Sequence, residues 1–369
     1  MPHKMRHAAT LVVCAAFLYG LPLAHFLTPD QALSRWERRP LAQAPVFSLQ
    51  AFHQGAYTGD LETYLLDQFP ARDSFRTVKA VVSRHLLRKS DNNDVLQLDG
   101  HLTKLDYPLE RPQLNAAIRR FLAVSEQYLG DARQVAWAVI PDKNYFLAQS
   151  HTLPVLDYEA MLTALREGLP GMTEIPLFDL LSLDDYYTTD SHWRQEAILP
   201  VAERILSALS MPTPSWEGWE TVGRTPFEGG FEGVFLGQSA LPLPGEELVW
   251  LTSPVTEGAT VAGPDGPTAT VYAPERLTGM DGYDVFLSGA QSLLTVDNPA
   301  GDPDRHLVLF RDSYGSSLAP LLMQDYGRVT LIDLRYLSSA LLGEMVDFSG
   351  ADVVFLYSTS VLNAGMLLK

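Results

Sequence analysis

The sequence predicts an α/β fold in which helices cover a parallel sheet. Near the C-terminus, Leu307–Phe310, Val329–Ile332 and Val353–Tyr357 are short apolar runs typical of strands, and Leu318–Met323 and Ser338–Val346 alternate with them in a helical pattern. Earlier in the chain, an amphipathic helix precedes another buried strand. Hydrophobic residues make up 46% of the 369 residues and charged residues 19%, so the chain can bury a large core.

The N-terminus has the charge pattern of an export signal. Lys4 and Arg6 precede an apolar run from Ala8 to Leu27, and no further charge occurs before Asp30. About 20 helical residues span ~30 Å, so residues 1–28 are expected to anchor the protein in a membrane, with everything after them outside the cytoplasm. A cleaved signal peptide, which would leave a secreted protein, and a buried helix of a cytosolic domain are the alternatives.

The composition divides the remaining chain into four segments. Residues 29–50 are polar and bounded by prolines, as in a stalk. Residues 51–210 and 302–369 carry the helix and strand patterns and are expected to form two parts of one α/β domain. Residues 211–301 are rich in Gly, Pro and Thr and predict a β-rich insertion made of hairpins, with a separate small β-domain as the competing interpretation.

Two helices are predicted directly after the stalk. They cover Tyr57–Phe69 and Asp73–Leu87, and Asp73 or Ser74 can cap the second. Apolar residues recur at helical spacing in this second helix, and we expect them to pack against the core. They are Phe75, Val78, Val82 and Leu86.

The next helix and strand form an α/β unit. Leu114–Leu129 presents one apolar face, and Gly130 stands where a helix is expected to stop. Val135–Ile140 is a continuous apolar run ended by a proline, as in a strand buried on both faces. Ligands of parallel sheets bind beyond the carboxyl ends of the strands, so the loops there are where a site is expected.

Charge and cysteine content exclude several classes of function. The formal net charge of −17 repels phosphate backbones, so nucleic acid is not an expected partner. Cys14 is the only cysteine and lies in the apolar run. The exported part therefore has no disulfide, no structural zinc finger and no cysteine nucleophile.

Ser313 is the first candidate for chemistry. It follows the apolar run of LVLFRDSYGSSLAPLL at a strand-to-helix turn, where Gly315 would ease a tight bend. A serine in that position projects from the sheet edge, and nearby backbone N–H groups can stabilise an oxyanion. The alternative is that Ser313 only caps the helix.

Asp190 and His192 form the second candidate, in YYTTDSHWRQEA. A carboxylate two residues before a histidine can bond one imidazole nitrogen and leave the other free to accept a proton from a hydroxyl. The alternatives are a helix cap by Asp190 and, with less support from the spacing, a metal site. Pro200 is expected to kink the helix that follows. Spacing alone does not bring His192 to Ser313, which lies 121 residues further on.

Successive blocks of the sequence resemble the DHHW family of exported bacterial proteins. In order, they are SRWERRPLAQAP, DQFPARDSF, VLQLDGHL, YYTTDSHWRQEA, FRDSYGSSLAPLL and IDLRYL. That family is similar to the SGNH-hydrolase-like proteins that O-acetylate exopolysaccharides. The resemblance implies a flavodoxin-like three-layer α/β/α (SGNH-like) domain in which Ser, His and Asp meet at the sheet edge.

The resemblance also implies roles for particular residues. Ser313 stands at the nucleophile position, His192 at the base position and Asp190 at the orienting position. The family's Asp-His-His-Trp block has Ser191 in place of its first histidine here, and separate Gly and Asn oxyanion blocks have no clear counterpart. The backbone N–H of Ser313 is the oxyanion donor we expect.

The predicted function is serine-dependent transfer of an acyl group, such as acetyl, to or from a hydroxyl of a cell-surface or secreted polysaccharide. No cofactor and no metal are required, and a membrane-bound O-acyltransferase is a possible partner that supplies the acyl group. The alternative is a non-catalytic protein that binds glycan or acts as a scaffold in a membrane acylation complex.

Several further residues are weaker candidates for substrate contacts. A structural role is the alternative for Tyr314, Arg335 and Tyr336. Lys143 follows the buried strand at the sheet edge and resembles a Pro-x-Lys position of the acetylation proteins, with an exposed loop lysine as the alternative. The aromatic rings of Trp216 and Trp219 could stack on sugars or could simply pack in the insertion.

Overall fold

The computed structural model describes residues 3–224, 231–263 and 266–369. The chain divides into two compact units, one made of Met1–Asn93 with Leu236–Leu243 and the other of Asp94–Phe235 with Pro244–Lys369. Parts of the predicted insertion, residues 225–230 and 264–265, lie outside the described residues.

Strands occur in both units. In chain order they are β1 (Leu33–Ser34), β2 (Arg39–Pro40), β3 (Asp91–Asn92), β4 (Val95–Leu98), β5 (His101–Thr103), β6 (Gln134–Ile140), β7 (Thr173–Glu174), β8 (Glu220–Arg224), β9 (Leu248–Thr252), β10 (Thr260–Gly263), β11 (Gly266–Ala269), β12 (Leu293–Asp297), β13 (Asp302–Arg311), β14 (Tyr326–Ile332) and β15 (Asp352–Ser358).

The α-helices alternate with these strands. They are α1 (His3–Ala15), α2 (Leu21–Leu27), α3 (Leu49–His53), α4 (Ala56–Asp67), α5 (Arg72–Val81), α6 (Arg111–Tyr128), α7 (Lys143–Leu147), α8 (Tyr158–Gly168), α9 (Leu199–Ala208), α10 (Val234–Ser239), α11 (Pro254–Gly258), α12 (Tyr314–Leu322), α13 (Leu342–Met345) and α14 (Thr359–Leu362). The helix predicted over Ser338–Val346 is a 3-10 turn followed by α13, and Gly343 lowers the helix propensity there.

An eight-stranded sheet forms the centre of the second unit. Its order is β11-β10-β12-β14-β13-β15-β6-β7. The strands from β14 to β7 are parallel to their neighbours, and β12, β10 and β11 extend the sheet with antiparallel pairings. The prediction of an α/β fold with a large, mostly parallel sheet is therefore confirmed.

Both faces of the central strands are buried. Alternate residues of a strand point to opposite faces, so Trp137 and Val139 of β6 join one apolar cluster and Ala138 and Ile140 join another. The first cluster includes residues of α6 and α8, and the second includes residues of α9 and α12. This two-sided burial explains why the parallel strands appear in the sequence as continuous apolar runs.

The first unit begins with the apolar helix. The segment Thr10–Leu27 is long and apolar enough to cross a membrane, by length and composition, and almost none of it is buried. It consists of α1 and α2 joined by a π-helical turn, Ala16–Gly20. The segment expected to be a stalk contains the β1–β2 pair and the start of α3.

Helices α4 and α5 match the two helices predicted after the stalk, but two details differ. No side chain caps α5, because its N-cap residue is Ala71, whose methyl group cannot accept a hydrogen bond; Ala71 has a left-handed backbone with φ of 55°. The apolar stripe of α5 is exposed instead of packed against a core. Elsewhere in this unit, Arg39 forms two hydrogen bonds with Asp67 and lowers the pKa of that carboxyl to about 2.

Candidate active site

Ser313 lies between β13 and α12, at the carboxyl edge of the sheet. Its side chain is half-buried and makes no capping hydrogen bond to the helix. Instead, Ser313 Oγ lies 2.7 Å from His192 Nε2. The structure therefore brings together the two residues that stand 121 positions apart in the sequence, and the helix-cap alternative for Ser313 is wrong.

Asp190 and His192 lie on a tight loop closed by the bridge between Tyr186 and Trp193. The Asp190 carboxylate is fully buried. Its Oδ1 accepts hydrogen bonds from His192 Nδ1 at 2.6 Å and from the His192 backbone N–H at 3.1 Å. Its Oδ2 accepts one from the Val234 backbone N–H at 2.7 Å. Asp190 thus orients the imidazole and does not cap a helix.

The helix after this loop, α9, starts at Leu199, and Pro200 occupies its first turn. A proline at that position does not destabilise the helix, since the first backbone N–H groups of a helix have no intrahelical partner. The predicted kink at Pro200 is therefore wrong.

Together these contacts assign the hydrogen-bonding role of each imidazole nitrogen. A carboxylate can only accept, so Nδ1 carries a hydrogen and donates it to Asp190. Nε2 is then the acceptor for the Ser313 hydroxyl. A neutral imidazole in this orientation can remove the hydroxyl proton as Oγ attacks a carbonyl carbon.

Asp312 fixes the turn that carries Ser313. It is buried, and its carboxylate accepts hydrogen bonds from the backbone N–H groups of Tyr314 at 3.1 Å and of Ser358 at 2.8 Å. The second bond ties the turn to the end of β15. Among the described residues, the backbone N–H of Ser313 has no acceptor. It is the donor available to an oxyanion at this turn.

Gly315 is required by close packing and not by an unusual backbone angle. A Cβ at this position would lie 2.6 Å from the Cβ of Arg311, whose side chain is completely buried at the end of β13. Burial lowers the pKa of the Arg311 guanidinium. The glycine therefore makes room for a buried arginine beside the turn.

Aromatic side chains enclose His192. The ring of Tyr283 stacks on the imidazole at 4.0 Å and 13°, and the Tyr314 ring lies 4.8 Å away at a tilt. The Tyr314 hydroxyl donates to the backbone carbonyl of Ser191 at 2.7 Å. Tyr314, a candidate substrate contact, is buried and braces the His192 loop.

Ser317, one turn into α12, ties the aromatic residues around His192 to the helix that follows Ser313. Its Oγ lies 2.9 Å from the Trp193 indole nitrogen and 2.7 Å from the Tyr283 hydroxyl. The helix that begins directly after Ser313 therefore also holds the loop that carries His192.

Lys143 is buried, so the alternative of an exposed loop lysine is wrong. Its ammonium donates to the backbone carbonyls of Leu102, Tyr187 and Thr188. Burial lowers its pKa to about 7, against the opposing effect of the Asp190 and Glu246 carboxylates. With only 2% of its surface exposed, Lys143 supports the segment before Asp190.

Among the described residues, no contact links Arg335 or Tyr336 to the cluster around Ser313 and His192. The Arg335 guanidinium bonds both oxygens of Asp333, at 2.9 and 2.7 Å, and lies 5.4 Å from the Tyr336 ring centre. Tyr336 is exposed. Both follow β14, so they lie on a loop at the same edge of the sheet as Ser313.

Trp216 and Trp219 pack against each other and against the core. Their rings meet edge to face at 5.4 Å, and the Trp216 indole donates to Glu203 at 2.7 Å. Both are half-buried against the apolar cluster that includes α9. The structure therefore favours packing over an open platform for sugars.

The sequence analysis missed three contributors to the site. Asp312 stands next to Ser313 in the D-S block, which was a usable signal. Val234 and Tyr283 lie in the predicted insertion, and nothing in their local pattern separates them from packing residues. Within residues 3–224, 231–263 and 266–369, no group of three or more His, Cys, Asp or Glu side chains could hold a metal ion.

Gly233 lies against the backbone of the Asp190 loop. A Cβ there would overlap the carbonyl of Thr189 and approach the Asp190 nitrogen to 2.5 Å. We expect Gly233→Ala to displace Asp190 and lower kcat about 100-fold, since small misplacements of catalytic groups have effects of that order. Ester hydrolysis by the purified protein measures this. Gly130→Ala, where a Cβ meets open space, is the control, and equal kcat in both variants would contradict the prediction.

Comparisons with known proteins support the fold. No family model and no curated protein sequence matches the chain. A DHHW family protein from Eubacterium siraeum is similar in structure, with a TM-score of 0.59 and 18% identity over 75% of this chain and 95% of that chain. Bacillus cereus PatB1, solved with a sulfonyl adduct, is also similar, with a TM-score of 0.56 and 16% identity over 74% and 97%. The chain therefore has the fold of a DHHW family protein, and the resemblance found in the sequence is confirmed at the level of the fold.

Proposed function

We propose that this protein is an extracytoplasmic acyltransferase or esterase that uses Ser313 as a nucleophile on acyl esters of a cell-surface or secreted polysaccharide. The observation that carries the proposal is the chain of contacts Asp190–His192–Ser313, with distances of 2.6 and 2.7 Å. The fold shared with the DHHW family protein supports it. Acetyl is the acyl group that the sequence resemblance implies.

In the first half of the proposed reaction, Ser313 Oγ attacks the carbonyl carbon of the acyl donor. The Oγ–H proton passes to His192 Nε2, and Asp190 stabilises the imidazolium that forms. The backbone N–H of Ser313 stabilises the negative charge on the carbonyl oxygen. The bond to the donor oxygen then breaks, the imidazolium protonates the leaving group, and an acyl ester of Ser313 remains.

In the second half, a hydroxyl replaces the donor. His192 removes the hydroxyl proton, the oxygen attacks the acyl carbon, and Ser313 Oγ leaves and takes the proton back. A sugar hydroxyl as acceptor gives acyl transfer, and water gives hydrolysis. The half-buried position of Ser313 supports access of an acceptor to this residue.

The structural setting of this chemistry is also part of the proposal. We assign the second unit a three-layer SGNH-like architecture in which the segment 211–301 is an insertion, supported by apolar packing on both faces of β6. The apolar segment Thr10–Leu27 supports a site outside the cytoplasm. A membrane-bound acyltransferase is the proposed source of acyl groups.

Covalent labelling tests the nucleophile directly. Sulfonyl fluorides react with activated serine hydroxyls, so the full-length protein in detergent should gain one sulfonyl group by intact mass and lose ester hydrolysis in parallel. Ser313→Ala and His192→Ala should both remain unlabelled, because one lacks the nucleophile and the other lacks its base. Labelling that persists at another residue in Ser313→Ala would overturn the assignment.

A second measurement separates catalysis from binding. With a chromogenic acetyl ester as donor and an oligosaccharide as acceptor, mass analysis distinguishes transfer from hydrolysis. Equal background rates in the parent protein and both variants would favour the non-catalytic, glycan-binding alternative.

A further inference from the structure

The apolar stripe of α5 is the largest disagreement between the sequence pattern and the packing. Phe75, Val78 and Val82 are 45%, 59% and 39% exposed, and Leu86, on the π-helical continuation Val82–Leu86, is 74% exposed. The opposite side of the helix is covered, since Ala80 and Ser83 are buried. A regular apolar stripe that faces outward needs an apolar partner.

The charge of this helix is opposite to that of the chain. Residues 72–89 contain six Lys or Arg and a single acidic residue, Asp73, whereas the whole chain carries a net charge of −17. Arg72 and Arg76 are paired with Glu37. In the part of the chain that the structure describes, Arg84, Arg88 and Lys89 have no carboxylate within ion-pair distance.

The start of α5 lies close to the end of the apolar N-terminal helix. His25 of α2 donates from Nδ1 to the backbone carbonyl of Gln68 at 3.2 Å, and its ring lies 5.4 Å from that of Tyr64 in α4. Only residues 69–71 separate Gln68 from the first residue of α5. Four residue-to-residue steps join Gln68 to Arg72 and span at most ~14 Å, so α5 begins within about that distance of Gln68, which His25 of the candidate membrane helix contacts.

We propose that α5 and its continuation lie on the membrane surface beside the N-terminal helix. The stripe Phe75, Val78, Val82 and Leu86 enters the boundary between headgroups and acyl chains. Arg84, Arg88 and Lys89 contact anionic headgroups. An outward apolar stripe combined with unpaired cations is the pattern of helices that lie in the interface of a bilayer.

This placement is independent of the chemistry at Ser313. It requires only that the apolar helix meets a membrane and that the contacts between α2, α4 and Gln68 persist there. A bilayer is favoured over a second copy of the chain because α5 begins next to the apolar N-terminal helix, where a membrane is expected to lie. A membrane with anionic lipids offers an apolar layer to the stripe and negative charge to the cations.

The depth of the stripe can be measured with a fluorescent label. Cys14 is the only cysteine, so Cys14→Ser provides a background for Val78→Cys labelled with an environment-sensitive dye. The full chain is reconstituted into phosphatidylglycerol-containing vesicles with and without lipids brominated near the headgroup. We expect blue-shifted emission and strong quenching by the brominated lipids. A label at Glu159→Cys on α8, where the native side chain is 81% exposed, is the control and should show neither effect.

Other outcomes would overturn the placement. Emission at position 78 that matches the Glu159 control would show that water covers the stripe. A blue shift without quenching would show that protein covers it, as in contact with a second copy.

The contribution of charge is tested by a triple variant that combines Arg84→Gln, Arg88→Gln and Lys89→Gln. Each cation near an anionic surface strengthens association about fivefold, so we expect quenching to fall in this variant and also in vesicles of phosphatidylcholine alone. If quenching were unchanged in both cases, the three cations would not contribute to binding of α5 to the membrane.

Discussion

Ser313→Ala is expected to abolish ester cleavage and acyl transfer, with a loss of roughly 10⁴ to 10⁶ in kcat. This change removes the hydroxyl that is proposed to receive the acyl group. The change leaves the fold intact, because Ser313 makes no capping bond to α12 and its side chain is half-buried. Steady-state hydrolysis of a chromogenic acetyl ester measures the loss, and thermal unfolding checks that stability is unchanged.

The matched control is Ser215→Ala, which removes an exposed hydroxyl far from the turn in sequence. Its rates should equal those of the parent protein. If Ser313→Ala retained the parent kcat, the hydroxyl would not be the nucleophile, and the short contact with His192 would be only structural.

Asp190→Asn is expected to lower kcat about 10⁴-fold while the protein remains folded. Asp190 accepts hydrogen bonds at both oxygens, from His192 Nδ1 and from the Val234 N–H. An amide has one oxygen and one NH₂ group. If the NH₂ faces Val234, two donors meet in a buried site; if it faces His192, the imidazole must carry its proton on Nε2 and can no longer accept one from Ser313.

The reference for this change is Asp184→Asn, which makes the same substitution at an exposed position six residues earlier. We would measure kcat and thermal unfolding for both variants. Together these measurements distinguish a loss of His192 orientation from a loss of stability. Parallel losses of kcat in both variants would contradict the role assigned to Asp190.

The sequence predicts most accurately the short strands whose two faces are both buried. Val135–Ile140 and Val353–Tyr357 are apolar throughout because both faces of the sheet are covered, and the observed strands begin and end within a residue of them. Ser313 and His192 were identified because D-S and D-x-H are short blocks with a clear chemical purpose. Their meeting could be expected only from resemblance, since 121 residues separate them.

Local sequence patterns could not predict contacts between segments that are distant in the chain. Tyr283 stacks on His192 from within a segment that the sequence marks only as rich in turns. Lys143 stands at the sheet edge as the sequence predicts, but its local pattern did not show that three backbone carbonyls hold its ammonium in the interior, where lysine is rarely found. The spacing of apolar residues in α5 correctly predicted a helix. It did not predict what surrounds the helix, because periodicity identifies the apolar face but not the surface that covers that face.

The position of β15 has a consequence for synthesis. It lies between β13 and β6 and pairs with both, although Gln134 of β6 and Asp352 of β15 are 218 residues apart in the chain. As the nascent polypeptide leaves the ribosome, β6 and β13 therefore cannot be joined in one sheet until β15 has been made. Long-range parallel pairing of this kind forms slowly, so the central sheet is completed late in folding.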